Sequence, residues 1–434
     1  MIIKKEVLSG VKWTTISAIA ISASSVIRIS ILTRFLDKTD FGLMAIVLFI
    51  LSFTSLFIDL GMTAAILHKK DISKHELSSL YWLSILFSFI IFILVILFTP
   101  LVSGWYSEPE LLSILPIMGT NLIISALGKQ FRTLEQKELN FSFISKVDVF
   151  TALIILTTSC FFAVYEFGIY SLVYSSLLGS AFRSIVFLYE GLKNYSLKFH
   201  FSFFDVRLFL KIGMFNTGGQ IINYVNKEID ILIVGRVFGI ETLGVYSLAK
   251  QLVFRPTGII NPIVTTVAIP IFSKIQNDAS MLKESYLKLL NIVTSINIPV
   301  YLLVIIFANP LIKILYGSDY LVMEQLVRIL CFYMILIMLR NPMGTLTIAT
   351  GRTDLEFYWS SFTFLLMPVA ITFGSFFSIE MVALFMTITM LLLFIPLWFF
   401  VIRKMISVDL ISYLKAYIPN YNWIKIFISN LIKS

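Results

Sequence analysis

Between Phe215 and Gln276 the chain sets five polar residues into an otherwise apolar run: Asn216, Gln220, Asn223, Lys227 and Asp230. Steps of 4, 3, 4 and 3 place all five on one face of an α-helix. Lipid offers amides, an ammonium or a carboxylate no partner. Such a face belongs in a bundle interior or along a water-filled path. Further basic residues fall inside apolar runs: Arg28, Arg183, Lys250, Arg255, Arg328 and Arg340. Arg183 lies near a predicted helix end and is expected to snorkel to the interface. Each of the others costs about 2.5–3.5 kcal/mol at a helix centre, so each needs a reason. Pairing with a nearby carboxylate is one reason, as Lys227 with Asp230; contact with an anionic solute is the other. On the first apolar run, Thr14, Ser17, Ser24 and Arg28 share a small polar face. Among acids, Asp59, Asp148 and Asp230 are candidates for carrying H⁺ or binding Na⁺, against salt-bridge and backbone-binding alternatives.

The elements that must position these groups are membrane helices. Of 434 residues, 58% are hydrophobic and 14% charged, and the mean hydropathy is +0.92. A soluble chain would carry about 25% charge. The length allows about twelve spans of roughly 20 residues with short loops. Apolar runs predict helices at 11–36, 42–66, 79–103, 112–132, 145–165, 168–191, 209–236, 243–272, 286–309, 321–349, 355–376 and 380–402. The first run is too long for a signal peptide and lacks a small-residue cleavage site, so it is expected to remain as a helix. Trp13, Trp82, Trp105, Trp359 and Trp398 fall near predicted ends, where indoles favour the interface. Nine of the twelve prolines lie from Pro256 onward, and Pro256, Pro262 and Pro270 are expected to weaken the helix at 243–272.

The net charge of +9 reports topology rather than nucleic-acid binding. With the N-terminus inside, 23 loop and tail Lys and Arg fall on the cytoplasmic side and four (Arg34, Lys38, Arg236, Lys313) on the other. That asymmetry places both ends in the cytoplasm. Cys160 and Cys331 give neither a disulfide framework nor a metal spacing. His68, His75 and His200 are all in predicted cytoplasmic segments. No HExxH, P-loop or GxSxG occurs, so neither enzyme chemistry nor a cofactor is expected.

An internal repeat is visible. Arg34-Phe-Leu-Asp-Lys-Thr-Asp-Phe-Gly42 joins the first two predicted helices, and Arg236-Val-Phe-Gly-Ile-Glu-Thr-Leu-Gly244 joins the seventh and eighth. Six helices per half would keep the halves in one orientation. The expected organisation is an N-lobe at 1–192, a cytoplasmic linker at 193–208, a C-lobe at 209–404 and a tail at 405–434. In the tail, Ile411, Leu414 and Ile418 suit a short interfacial helix.

These residues resemble the polysaccharide-transport branch, the Wzx-type flippases, of the multidrug/oligosaccharidyl-lipid/polysaccharide flippase superfamily. The resemblance rests on Trp13, on RFLDKTDFGLMA (Arg34–Ala45), IDLGMTAAILHKKDIS (Ile58–Ser73) and QFRTLEQKELNF (Gln130–Phe141). In the second half it rests on Asn226–Asp230, on GRVFGIETLGVYSLAKQLVFRP (Gly235–Pro256) and on IPIFSKIQND (Ile269–Asp278). It implies an all-α polytopic protein of about 12 transmembrane helices, in two six-helix lobes around a central cavity. It also implies alternating access and a polyprenyl-diphosphate-linked oligosaccharide as substrate, in a bacterial inner membrane. Under that resemblance Arg28, Lys227, Lys250, Arg255, Arg328 and Arg340 would hold the diphosphate. Ser24, Asn216, Gln220 and Asn223 would line the path, Asp59 or Asp230 would couple to H⁺ or Na⁺, and Tyr224 and Tyr246 could stack on sugars. Polymerase and chain-length proteins would be partners. A multidrug antiporter of the same superfamily should show an acidic cavity instead. A membrane polysaccharide polymerase should show a long extramembrane loop, and no loop here is long enough.

Overall fold

The structure, a computed structural model, describes residues 2–69, 71–195 and 197–420. Among these residues there is no strand. The helices are α1 (Ile2–Leu32), α2 (Lys38–Asp59), α3 (Met62–His68), α4 (Lys74–Tyr106), α5 (Leu111–Lys137), α6 (Phe141–Val164), α7 (Tyr170–Asn194) and α8 (Phe203–Phe238). They continue as α9 (Ile240–Ile275), α10 (Ala279–Ile306), α11 (Ala308–Leu315), α12 (Glu324–Thr350), α13 (Thr353–Ser375), α14 (Ile379–Ile406, with a π turn at Trp398–Ile402) and α15 (Leu410–Lys415). Among the described residues ten helices are long and apolar enough to cross a membrane. α8 and α9 have 36 residues each.

Local chemistry sets the helix starts. Ser73 and Glu76 cap α4 reciprocally: the Glu76 amide donates to Ser73 Oγ at 3.2 Å and the Ser73 amide donates to Glu76 Oε2 at 2.9 Å. At the start of α10 the Asp278 carboxylate accepts from the Ser280 and Met281 amides, and these bonds hold it below the usual carboxylate range.

The predicted helix 42–66 is in fact two. Leu60 (φ 41°) and Gly61 (φ 66°) take left-handed conformations that end α2 and open α3. The break lets α8 come in close: a Cβ on Gly61 would stand 2.3 Å from Gly213 Cα. The expected weak point at 243–272 does not interrupt α9, which runs through Pro256, Pro262 and Pro270. One residue beyond Pro256 the Thr257 hydroxyl donates to the Phe254 carbonyl of the same helix. Trp359 is also displaced from its expected interface: it is buried in a cluster with Leu346, Tyr286 and Leu397.

The chain forms two compact units, residues 1–247 with 315–317, and 248–314 with 318–434. In the first, α1 packs on α6, α5 on α4 and α7, α6 on α7, and α8 on α2, α3 and α4. Its core is Met62, Leu80, Phe131, Leu134, Phe187 and Phe209. In the second, α12 packs on α10 and α14, and α13 on α14. There Tyr413 of α15 is buried, whereas Ile411, Leu414 and Ile418 are exposed.

The two repeat turns meet in the first unit, and they meet reciprocally. A Cβ on Gly42 would stand 2.0 Å from the Ile240 carbonyl oxygen, and one on Gly244 1.8 Å from the Lys38 carbonyl oxygen. Lys38 and Ile240 occupy equivalent positions in the two copies, as do Gly42 and Gly244. Each copy therefore offers its glycine to the other's backbone, the pattern of a two-fold contact. Lys38 Nζ adds an ion pair to Glu241 at 3.8 Å.

Candidate functional site

The site begins where α5 and α7 cross. A Cβ on Gly128 would stand 2.7 Å from Ser184 Cα, so the two backbones nearly touch. One turn beyond Gly128, α5 carries Arg132; next to Ser184, α7 carries Arg183. Asp148 of α6 lies between them. Arg132 Nη2 donates to Asp148 Oδ2 at 3.0 Å, and Arg183 Nε stands 3.5 Å from Oδ1. That second approach is too poorly aligned for a hydrogen bond, so Arg183 Nε has no hydrogen-bond acceptor among the described residues. α1 closes the fourth side. Its Ser24 hydroxyl donates to the Ala152 carbonyl at 3.2 Å and pins α1 to α6. One turn further on, Arg28 enters the same space. The cavity holds about 280 Å³ and is lined by Ile21, Ser24, Arg28, Arg132, Asp148 and Arg183, among others.

The sequence reading had not joined these groups: it set Arg183 at the interface, Arg132 at the cytoplasmic end of the predicted helix 112–132, and Asp148 as a candidate for ion coupling or a salt bridge. The structure instead brings three guanidinium groups against one carboxylate. Asp148 is mostly buried, while Arg132 and Arg183 are about half exposed. One carboxylate cannot satisfy the five N–H donors of each guanidinium. The three guanidinium groups line a cavity of a size that suits a small oxyanion, and the fork geometry of arginine matches phosphate.

The other predicted residues lie elsewhere. On α8 the side chain of Asn216 is outside the described residues, Gln220 is part-buried, and Asn223 and Lys227 are exposed. Lys227 Nζ lies 3.5 Å from Glu228 Oε1. Asp230 is 1% exposed and accepts a hydrogen bond from the Tyr246 hydroxyl at 2.6 Å. Tyr246, fully buried, has no face left for a sugar, which corrects that expectation. Tyr224 donates to the Phe49 carbonyl and packs against the rings of Phe49 and Phe53. In the second unit Lys250 is buried with its Nζ 5.7 Å from the centre of the Phe254 ring. Arg255 reaches Gln251 at 3.5 Å, and Arg328 pairs with Glu324 at 2.6 Å within α12. Arg340 is part-buried, within electrostatic reach of Glu356. Asp59, at the α2–α3 break, accepts from the Thr63 hydroxyl at 2.6 Å and pairs with Lys129 Nζ at 3.0 Å. The ion-pair partner of Asp59 is thus a side chain of α5. Among the described residues no cluster of acids, histidines and cysteines could hold a metal ion.

A family described as "Polysaccharide biosynthesis protein" matches residues 31–325. The chain belongs to this family. It is 31% identical, over 86% of its length and 76% of the relative's, to the lipopolysaccharide biosynthesis protein WzxC of Escherichia coli (strain K12). It is 29% identical, over 85% and 76%, to the teichuronic acid biosynthesis protein TuaB of Bacillus subtilis (strain 168). Among solved structures it resembles the lipid II flippase MurJ in an inward closed conformation, with a TM-score of 0.79, 17% identity, and coverage of 97% of this chain and 93% of the other. That likeness shows the fold. As a member of the polysaccharide family, the chain is an all-α, multi-pass membrane protein of the flippase superfamily named above.

Proposed function

We propose that this protein is a flippase that carries polyprenyl-diphosphate-linked oligosaccharide units across the bacterial inner membrane, from the cytoplasmic to the periplasmic leaflet. The glycan would feed an exopolysaccharide, a capsule or an O-antigen. The observation that carries the reading is the cavity in which Arg28, Arg132 and Arg183 face a single carboxylate. A diphosphate must shed its water to cross, and fixed guanidinium donors replace that hydration. Asp148 neutralises part of the charge while the site is empty, and an incoming phosphate competes with it for Arg132 and Arg183. The polyprenyl tail stays in lipid, and the site faces the two sides of the membrane in turn. The relatives' names point to polysaccharide and teichuronic acid assembly, and MurJ is named a flippase for lipid II. The antiporter reading wants an acidic cavity for organic cations, and this cavity has the opposite sign. Nothing in the reading requires chemistry on the glycan. A strain lacking the protein should accumulate its lipid-linked glycan on the cytoplasmic leaflet. Unchanged delivery of that glycan to the cell surface would refute the reading.

The orientation has its own test. Cysteines placed at Lys137, Lys198 and Lys283 should resist an impermeant thiol reagent in intact cells, because the positive charge excess puts these segments in the cytoplasm. Labelling of two of the three from outside would invert the topology.

Coupling to an ion gradient is assigned to Asp230, a buried carboxylate that accepts a hydrogen bond from the Tyr246 hydroxyl. Asp230→Asn should abolish the dependence of transport on a pH gradient without loss of the protein. If Lys227→Gln restores what Asp230→Asn removed, Asp230 merely balances charge and carries no proton.

A further inference from the structure

A second cavity lies further along α5, within the same unit, and its chemistry differs from that of the arginine site. It holds about 280 Å³ between α2 and α5 and is lined by Ser52 and Ser55 of α2 and by Asn121, Ser125 and Lys129 of α5, with Leu48, Leu51, Ile58 and Leu122 as apolar wall. Lys129 and Arg132, one helical turn apart, are therefore the nearest polar groups of the two cavities along α5.

The charge balance separates the two spaces. In the arginine cavity the cations outnumber the carboxylate. Here the one cation, Lys129, is matched by Asp59, which stands behind it at 3.0 Å in an adjoining small void. A phosphate gains little from a cation already neutralised. A neutral, polyhydroxylated group gains more, because it needs donors and acceptors side by side. Both are present. The Ser125 hydroxyl donates to Asn121 Oδ1 at 3.2 Å, which leaves the Asn121 amide N–H groups without a partner among the described residues. The Ser52 hydroxyl makes no hydrogen bond there either, and an ammonium has three donors, of which Asp59 takes one. Donors and acceptors set side by side against an apolar wall suit a polyhydroxylated ligand.

We infer that this cavity is a sugar subsite: it receives the hydroxyl groups of the monosaccharide next to the diphosphate, while the arginine cavity holds the diphosphate itself. The assignment rests on the flippase reading and adds to it the residues that would tell a glycan-bearing carrier from a bare one.

The test uses the full-length protein in lipid nanodiscs and two probes, polyprenyl diphosphate alone and the same carrier bearing one glucose. The wild type should bind the glucose-bearing carrier at least about fivefold more tightly, the scale of one neutral hydrogen bond. Asn121→Leu, which keeps the shape and removes the amide, should erase that preference and leave the bare carrier's affinity unchanged. Ser125→Ala, a smaller change, should reduce the preference in the same direction and guards against misfolding of the first variant. Equal affinity of the wild type for both carriers would overturn the subsite, as would equal losses for both carriers in either variant. If the wild type binds neither carrier, the flippase reading itself fails and the subsite with it.

Discussion

Alanine at Arg132 or at Arg183 is expected to weaken the binding of polyprenyl diphosphate about 10- to 100-fold. A hydrogen bond to a charged group contributes about 1.5–3 kcal/mol, and about 1.4 kcal/mol corresponds to a factor of ten. Lysine at either position should retain part of the affinity, since charge remains and the two-pronged geometry is lost. Asp148→Asn should act in the opposite sense. It removes the resident anion, so it should tighten binding of the carrier while lowering thermal stability, because Arg132 and Arg183 are then left without their carboxylate. Titration of labelled carrier against the protein in nanodiscs, beside a melting curve for each variant, reads all of these. If Asp148→Asn lowers affinity as far as the arginine variants do, the carboxylate is part of the binding surface and not its competitor.

Gly244→Ala is expected to be among the most destabilising small substitutions in the first unit. Its added Cβ would stand 1.8 Å from the Lys38 carbonyl oxygen and 3.1 Å from the Gly42 amide nitrogen. Both are backbone atoms at helix ends, so neither can turn aside as a long side chain would. Overpacking of a well-packed site typically costs about 1–3 kcal/mol, and this position should lie at or above the upper end. Gly42→Ala should act similarly, because the contact is reciprocal. Gly104→Ala, in α4 with nothing within 4 Å, should be neutral or stabilising by up to about 1 kcal/mol, the gain of alanine over glycine in a helix. Thermal unfolding of the three variants in one detergent checks the ranking. A melting temperature for Gly244→Ala equal to that of Gly104→Ala would mean that the two repeat turns do not touch in the folded protein.

The helices were legible because a long apolar run bounded by charge has few other structures open to it. The repeat was legible at Arg34–Gly42 and Arg236–Gly244, where nine-residue turns share a pattern. That the two copies clasp each other was not legible, since sequence spacing says nothing about which distant backbones approach. The break at Leu60–Gly61 was hidden for a related reason. A single Leu-Gly pair in an apolar helix ends it only if a neighbour, here α8 at Gly213, takes up the space.

The candidate site was half visible. Arg28 and Ser24 were found because they stand out in an apolar helix. Arg132 and Arg183 were missed because proximity to a helix end made each look like an interface residue. Their shared carboxylate, Asp148, comes from a third helix, and only packing of α5, α6 and α7 brings the three together. One signal was available and unused. Asn121, Ser125, Lys129 and Arg132 step along α5 by 4, 4 and 3, the same spacing that drew attention to the polar line on α8. α5 was passed over because Lys129 and Arg132, at its predicted end, were counted only as cytoplasmic charge. The α8 line is unevenly buried along its length: Asp230 is buried against Tyr246, while Asn223 and Lys227 are exposed.

The central claim is that this protein moves a lipid-linked diphosphate by way of the arginine cavity. It is tested most directly in proteoliposomes holding a fluorescent polyprenyl-diphosphate glycan, with an impermeant quencher added outside. The account predicts that the wild type exposes glycan from the inner leaflet far faster than protein-free vesicles do. It also predicts that the double variant Arg28→Ala, Arg132→Ala, purified as a folded protein, falls to the protein-free rate. A double variant that flips the glycan at the wild-type rate would contradict it.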